Sequence, residues 1–106
     1  MSQHPPVGVI HLERPAELVS VARRLRVILD GDVAGWLRTE EALTLNAAPG
    51  DHILHVGAAG IWGRLAGSGS LRFHLGPGEI AAFRVIIHLG VSRNTFHIVP
   101  VLPPAL

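Results

Sequence analysis

The chain has 106 residues, enough for one domain with a single modest core. Hydrophobic residues make up 48% and charged residues 16%, with a mean hydropathy of +0.38, which excludes a disordered chain and leaves apolar surface to bury on a partner. The formal net charge is +1, all nine basic residues are arginines, and no cysteine is present, so disulfides and thiolate metal sites are excluded.

The opening, MSQHPPVGVI, has no basic segment followed by a long apolar run and does not read as a secretory signal. No apolar run approaches the ~20 residues of a membrane span, so a cytoplasmic protein is expected. Residues 1–6 read as a tail, and VGVIHL as a first strand with Ile10 and Leu12 facing in. The next stretch, RPAELVSVARRL, has Pro15 at a good first helical position and Leu18, Val21, Ala22 and Leu25 at helical spacing. Its β-branched Val19 and Val21, and its direct passage into a clear strand, favour an extended connection instead.

Asp30-Gly31 is the Asx-Gly pair of tight hairpins, joining RLRVIL to VAGWL with Leu25, Val27 and Leu29 on one face. Trp36 alternates with Val33, Gly35 and Leu37, and the size of an indole favours its burial within the fold. Pro49-Gly50 and Pro77-Gly78 both suit a type II turn, where Pro fixes φ and Gly accepts a positive one. Period-two alternation flanks each: Leu43 and Leu45 then Leu54 and Val56; Leu71, Phe73 and Leu75 then Phe83, Val85, Ile87 and Leu89. Each Pro-Gly pair is therefore expected to close an antiparallel hairpin with one buried face.

Residues 57–70, GAAGIWGRLAGSGS, read as a glycine-rich loop carrying Ile61 and Trp62 at its tip. The last strand is TFHIVPV, with Phe96 and Ile98 in, His97 out, and Pro100 marking a sheet edge. Residues 101–106 read as a second tail. Strands recurring every ten or so residues predict an all-β antiparallel sandwich of seven to eight strands over residues 7–100.

The run VILDGDVAGWLRTEEALTLNAAPGDHILHV, followed by LRFHLGPGEIAAFRV, resembles small bacterial β-sandwich modules of the PEGA and carboxypeptidase-regulatory-like kind. Asp30, Gly31, Gly35, Pro49, Gly50 and His52 carry the resemblance, with Gly78-Glu79 at the later turn, over roughly residues 25–87. It implies an immunoglobulin-like or prealbumin-like sandwich with a binding or scaffolding role and no catalytic residues.

Chemistry-bearing patterns are sparse. His52 and His55 are three apart, so a strand turns them to opposite faces and they cannot chelate together. A metal site would need cross-strand neighbours such as His74, His88 and His97, which alternate onto the outer face and read as solvated or interfacial histidines. GAAGIWG and GSGS open no helix and have no lysine to reach a phosphate; GSGS also lacks the spacing of a nucleophile elbow. Asp30 and Asp32 are explained by turn chemistry rather than calcium, and Glu40 and Glu41 by a polar turn. Nucleic acid is not expected: the one tight basic cluster is Arg23, Arg24 and Arg26, alternation splits it between faces, and aromatics are few.

The sequence thus predicts a non-catalytic interaction or assembly module without cofactor or metal, which self-associates as a homo-oligomer or binds another protein. Its interaction residues are expected to be Ile61, Trp62, His74, His88 and His97; Asp30, Gly31, Pro49, Gly50, Pro77 and Gly78 are its structural turns. Val9, Ile28, Ile86 and Val99 add apolar character to the outer faces. The alternative is an accessory domain that grips a peptide or sugar through the 57–70 loop.

Overall fold

A computed structural model describes residues 6–16, 24–58, 68–88 and 95–103. Within them the chain is all-β, with eight strands and no helix. The strands are β1 (Gly8–Glu13), β2 (Arg24–Leu29), β3 (Asp32–Arg38), β4 (Ala42–Ala47), β5 (Gly50–Ala58), β6 (Ser68–Leu75), β7 (Ile80–His88) and β8 (Thr95–Val101). They form two four-stranded sheets: sheet A in the order β4-β1-β7-β8 and sheet B in the order β3-β2-β5-β6.

Period-two alternation explains why the sheets face each other. Ile10 and Leu12 of β1, Phe83 and Val85 of β7, and Phe96 and Ile98 of β8 point inward from sheet A. Leu25 and Val27 of β2, Leu37 of β3, Leu54 and Val56 of β5, and Leu75 of β6 meet them from sheet B. All are buried, and Leu29, Leu43, Leu45, Leu71, Phe73 and Ile87 pack half-buried around them. Each such side chain contributes about 1.5–3 kcal/mol of transfer free energy, so one inward row per strand drives the layering. Pro100 lies on β8, an edge strand, where its missing N–H interrupts no central ladder.

The connections differ from the antiparallel hairpins expected. β4 lies in sheet A and β5 in sheet B, so Pro49-Gly50 turns a corner between sheets; Pro77-Gly78 does the same from β6 to β7. A buried face on both sides of a turn is satisfied equally by a strand returning beside its neighbour and by one crossing the core to face it. Alternation cannot tell these apart. The repeated crossings also bring β1 and β7 side by side in parallel, from Val9 opposite Ile80 to Glu13 opposite Arg84. The sandwich is therefore not wholly antiparallel, and no hairpin could make that pair.

Turn chemistry holds locally. Asp30 and Gly31 have φ of +52° and +89°, both positive as a type I′ hairpin between β2 and β3 requires. Gly78 has φ +67°, and Glu79 N–H donates to Gly76 C=O at 3.1 Å, the geometry of a type II turn with Pro77 leading. Gly50 has φ +133°, well beyond the roughly +80° of a type II turn. The type II assignment fails at Pro49-Gly50, although the need for glycine stands.

A bulge on β3 also redirects side chains. Val27 pairs with Gly35 but Ile28 pairs with Val33, leaving Ala34 as the extra residue. From there to the hairpin the facing reverses, so Val33 leaves the face of Gly35 and Leu37 and is 57% exposed. The expected 57–70 loop is shorter than its composition suggests: β5 runs to Ala58, β6 starts at Ser68, and Gly57 pairs with Ser68. Ile61, Trp62 and residues 17–23 of the ambiguous stretch lie outside the described residues.

Candidate functional site

The best-organised polar cluster sits at one end of the core. His52 follows the inward parity of Leu54 and Val56, and its ring packs against Phe73, which in turn packs against Phe83 of the facing sheet. His52 Nδ1 donates to Asp30 Oδ2 at 2.6 Å and His52 Nε2 donates to the Ala48 carbonyl at 2.6 Å. Both partners are acceptors, an arrangement that favours the protonated ring. Asp30 Oδ1 also accepts from Ile53 N–H at 2.8 Å, and Asp30 N–H donates to the Ile53 carbonyl.

These bonds shift both groups. The Asp30 carboxyl is held below its ordinary range by the His52 hydrogen bond and then by Ile53 N–H. His52 is raised by Asp30 and then by the Ala48 carbonyl, against a smaller opposing effect of burial. A hollow of about 410 Å³ lies over the cluster, lined by Asp30, Asp51, His52, Ile53, Arg72 and Phe73. Both nitrogens of His52 are engaged by acceptors within the fold. The cluster is a clasp that joins the β2–β3 hairpin to the β4–β5 corner.

The outer face of sheet A carries two of the predicted interaction histidines. His88 and His97 project from β7 and β8 with ring centroids 4.8 Å apart and planes nearly perpendicular. Ile86 stands opposite His97, and Val99 opposite Arg84, whose Nε donates to Glu13 Oε1 at 2.6 Å. Val9, Ile86, Val99 and Val101 are half-exposed on this face. His74 is not part of it: on β6 in sheet B, it pairs with Asp51 at 2.9 Å in an open, solvated position. The three histidines do not meet. Among the described residues, no group of three or more histidines and carboxylates is placed to hold a metal ion.

Sheet B's outer face holds what the sequence concealed. Trp36, expected in the core, is 42% exposed, with the Arg24 guanidinium 4.5 Å from the ring centroid. Leu37 takes the inward position beside it, so alternation overrode the preference of a large aromatic for burial. Arg14 gave no signal in the sequence, yet it is buried; its Nη1 donates to the Leu37 carbonyl at 3.1 Å, tying the end of β1 to β3 across the sandwich. The Asp30–His52 contact spans 22 positions and was legible only as two separate turn residues.

No family model, curated protein or solved structure matches the chain. No helix among the described residues is long and apolar enough to cross a membrane.

Proposed function

We propose that this chain is a non-catalytic interaction module that self-associates through the outer face of sheet A. One observation carries the reading: that face combines half-exposed Val9, Ile86, Val99 and Val101 with an Arg84–Glu13 pair that neutralises itself. Such a surface presents apolar area without net formal charge, so a second copy meets it without repulsion. His88 and His97 sit at its β7–β8 end, where they join the contact. A cytoplasmic setting, read from the composition, belongs to the same proposal.

The resemblance to PEGA and carboxypeptidase-regulatory-like modules supports a binding role. Of its two sandwich types, the strand order favours the prealbumin-like one. An immunoglobulin constant sheet joins its first strand to its second and its third to its sixth, whereas here β1 pairs with β4 and β7 and β2 with β3 and β5.

Light scattering on a sizing column tests the proposal. The parent should run larger than one chain, and Ile86→Asp should return it to the monomer with its melting temperature nearly unchanged, since the replaced side chain faces outward. A parent that is monomeric at all concentrations removes the self-association reading.

A further inference from the structure

The cationic residues of sheet B form a second surface, on the opposite side of the molecule from the one just proposed. On β2, Arg24, Arg26 and Ile28 face outward, since Leu25 and Val27 are buried. On β3, Arg38, Trp36 and, through the bulge, Val33 face outward beside them. The register aligns them in three rows: Arg24 opposite Arg38, Arg26 opposite Trp36, and Ile28 opposite Val33. Arg24, Arg26 and Arg38 are exposed, and none of them forms an ion pair with a carboxylate among the described residues.

Like charges directly opposite on an antiparallel pair destabilise it. The fold therefore sets Arg24 and Arg38 opposite each other at a cost to its own stability, with Arg26 in the next row on the same face, and an anionic ligand would relieve that cost. We infer that this face binds an extended acidic segment of another protein. Arg24 and Arg26 are two residues apart on one strand, roughly 6.8 Å at ~3.4 Å per residue, the same repeat as side chains on one face of an extended peptide. Guanidinium forks match carboxylates bidentately, so Asp or Glu at alternate positions would meet the first two rows.

The third row selects protein over nucleic acid. Val33 and Ile28, with Ile53 of β5 also exposed on this face at 43%, offer contact to an aliphatic side chain, and Arg72 of β6 stands opposite Ile53 as a further carboxylate partner. One face of the Trp36 ring is already covered by Arg24, and the three phenylalanines point inward, leaving no run of aromatic platforms for stacked bases among the described residues. The partner is thus an extended segment reading acidic, acidic, aliphatic at alternate positions.

Fluorescence anisotropy with a labelled peptide of alternating Glu and Thr ending in Val and Ile tests this, against the same peptide with Lys for Glu and against labelled oligo-deoxythymidine. The acidic peptide should bind saturably at low salt and weaken as salt rises, while the Lys peptide should not bind. Arg26→Ala and Arg38→Ala should each weaken it about tenfold (~1.4 kcal/mol). The single charge swap Arg38→Glu should abolish binding without lowering the melting temperature, since it turns the like-charge pair with Arg24 into an attractive one. Tighter binding of oligo-deoxythymidine than of the acidic peptide, or no saturable binding of the acidic peptide, overturns the inference. So does a charge swap that dissociates the self-associated form, which would make this face the contact between copies; the sheet A variant Ile86→Asp keeps the two surfaces distinguishable.

Discussion

Asp30 serves two ends, bending the β2–β3 hairpin at φ +52° and holding His52. Their pairing makes stability depend on pH in opposite senses. The lowered Asp30 carboxyl contributes stability above its unfolded value near 3.8, lost as pH falls through the folded one. The raised His52 contributes stability that is complete below 6.5 and lost as pH rises through its higher folded value. Thermal melts should therefore peak between those limits and fall as pH rises above 6.5, and both Asp30→Asn and His52→Gln should flatten the alkaline limb. Because the Asp30 side chain is 44% exposed, each variant should cost only about 1 kcal/mol near pH 6. An unaltered alkaline limb in His52→Gln would place the pH dependence elsewhere. Asp30-Gly31 was legible as a hairpin because turn propensity is local; the His52 contact was not, because it depends on where the β4–β5 corner comes to rest.

At the scale of elements, the two Pro-Gly corners decide which sheet each strand joins. Gly78 sits in the left-handed region and Gly50 in a region open essentially to glycine alone. Space does not limit them: a Cβ on Gly50 meets nothing within 4 Å, and one on Gly78 comes only to ordinary contact with Pro6. The penalty for Gly50→Val and Gly78→Val is thus conformational, about 1–2 kcal/mol each, and chemical denaturation should show a lower midpoint with an unchanged slope. Variants as stable as the parent would mean these corners relax to negative φ. The sequence reached the right residues at both corners, since Pro and Gly act on their own dihedrals, and the wrong partners for the strands they join. Alternation also read the inner face of β2, β5, β6 and β8 correctly, but on β3 the single inserted Ala34 turned Val33 outward.

Across the whole molecule, the sandwich is pinned where β6, an edge of sheet B, meets β8, an edge of sheet A. Gly69 lies on the inner face of β6, and a Cβ there would sit 2.0 Å from the Phe96 carbonyl oxygen, which is backbone and cannot swing aside. Gly69→Ala should force the sheets apart and cost about 1–3 kcal/mol as overpacking, whereas Ser70→Ala, on the outer face next to it, should be nearly neutral. Equal melting temperatures for the two variants would show that the sheets do not approach so closely. The sequence by itself determined the strands, their inward rows and the residues of their turns, because alternation and turn propensity act within a few neighbouring residues. Only the tertiary structure decided that the Pro-Gly turns cross between sheets, that β1 runs parallel to β7, and that Arg24, Arg26, Arg38 and Trp36 share one face. Those outcomes depend on register and on which strands become neighbours, and the packing of both sheets against a common core fixes them together.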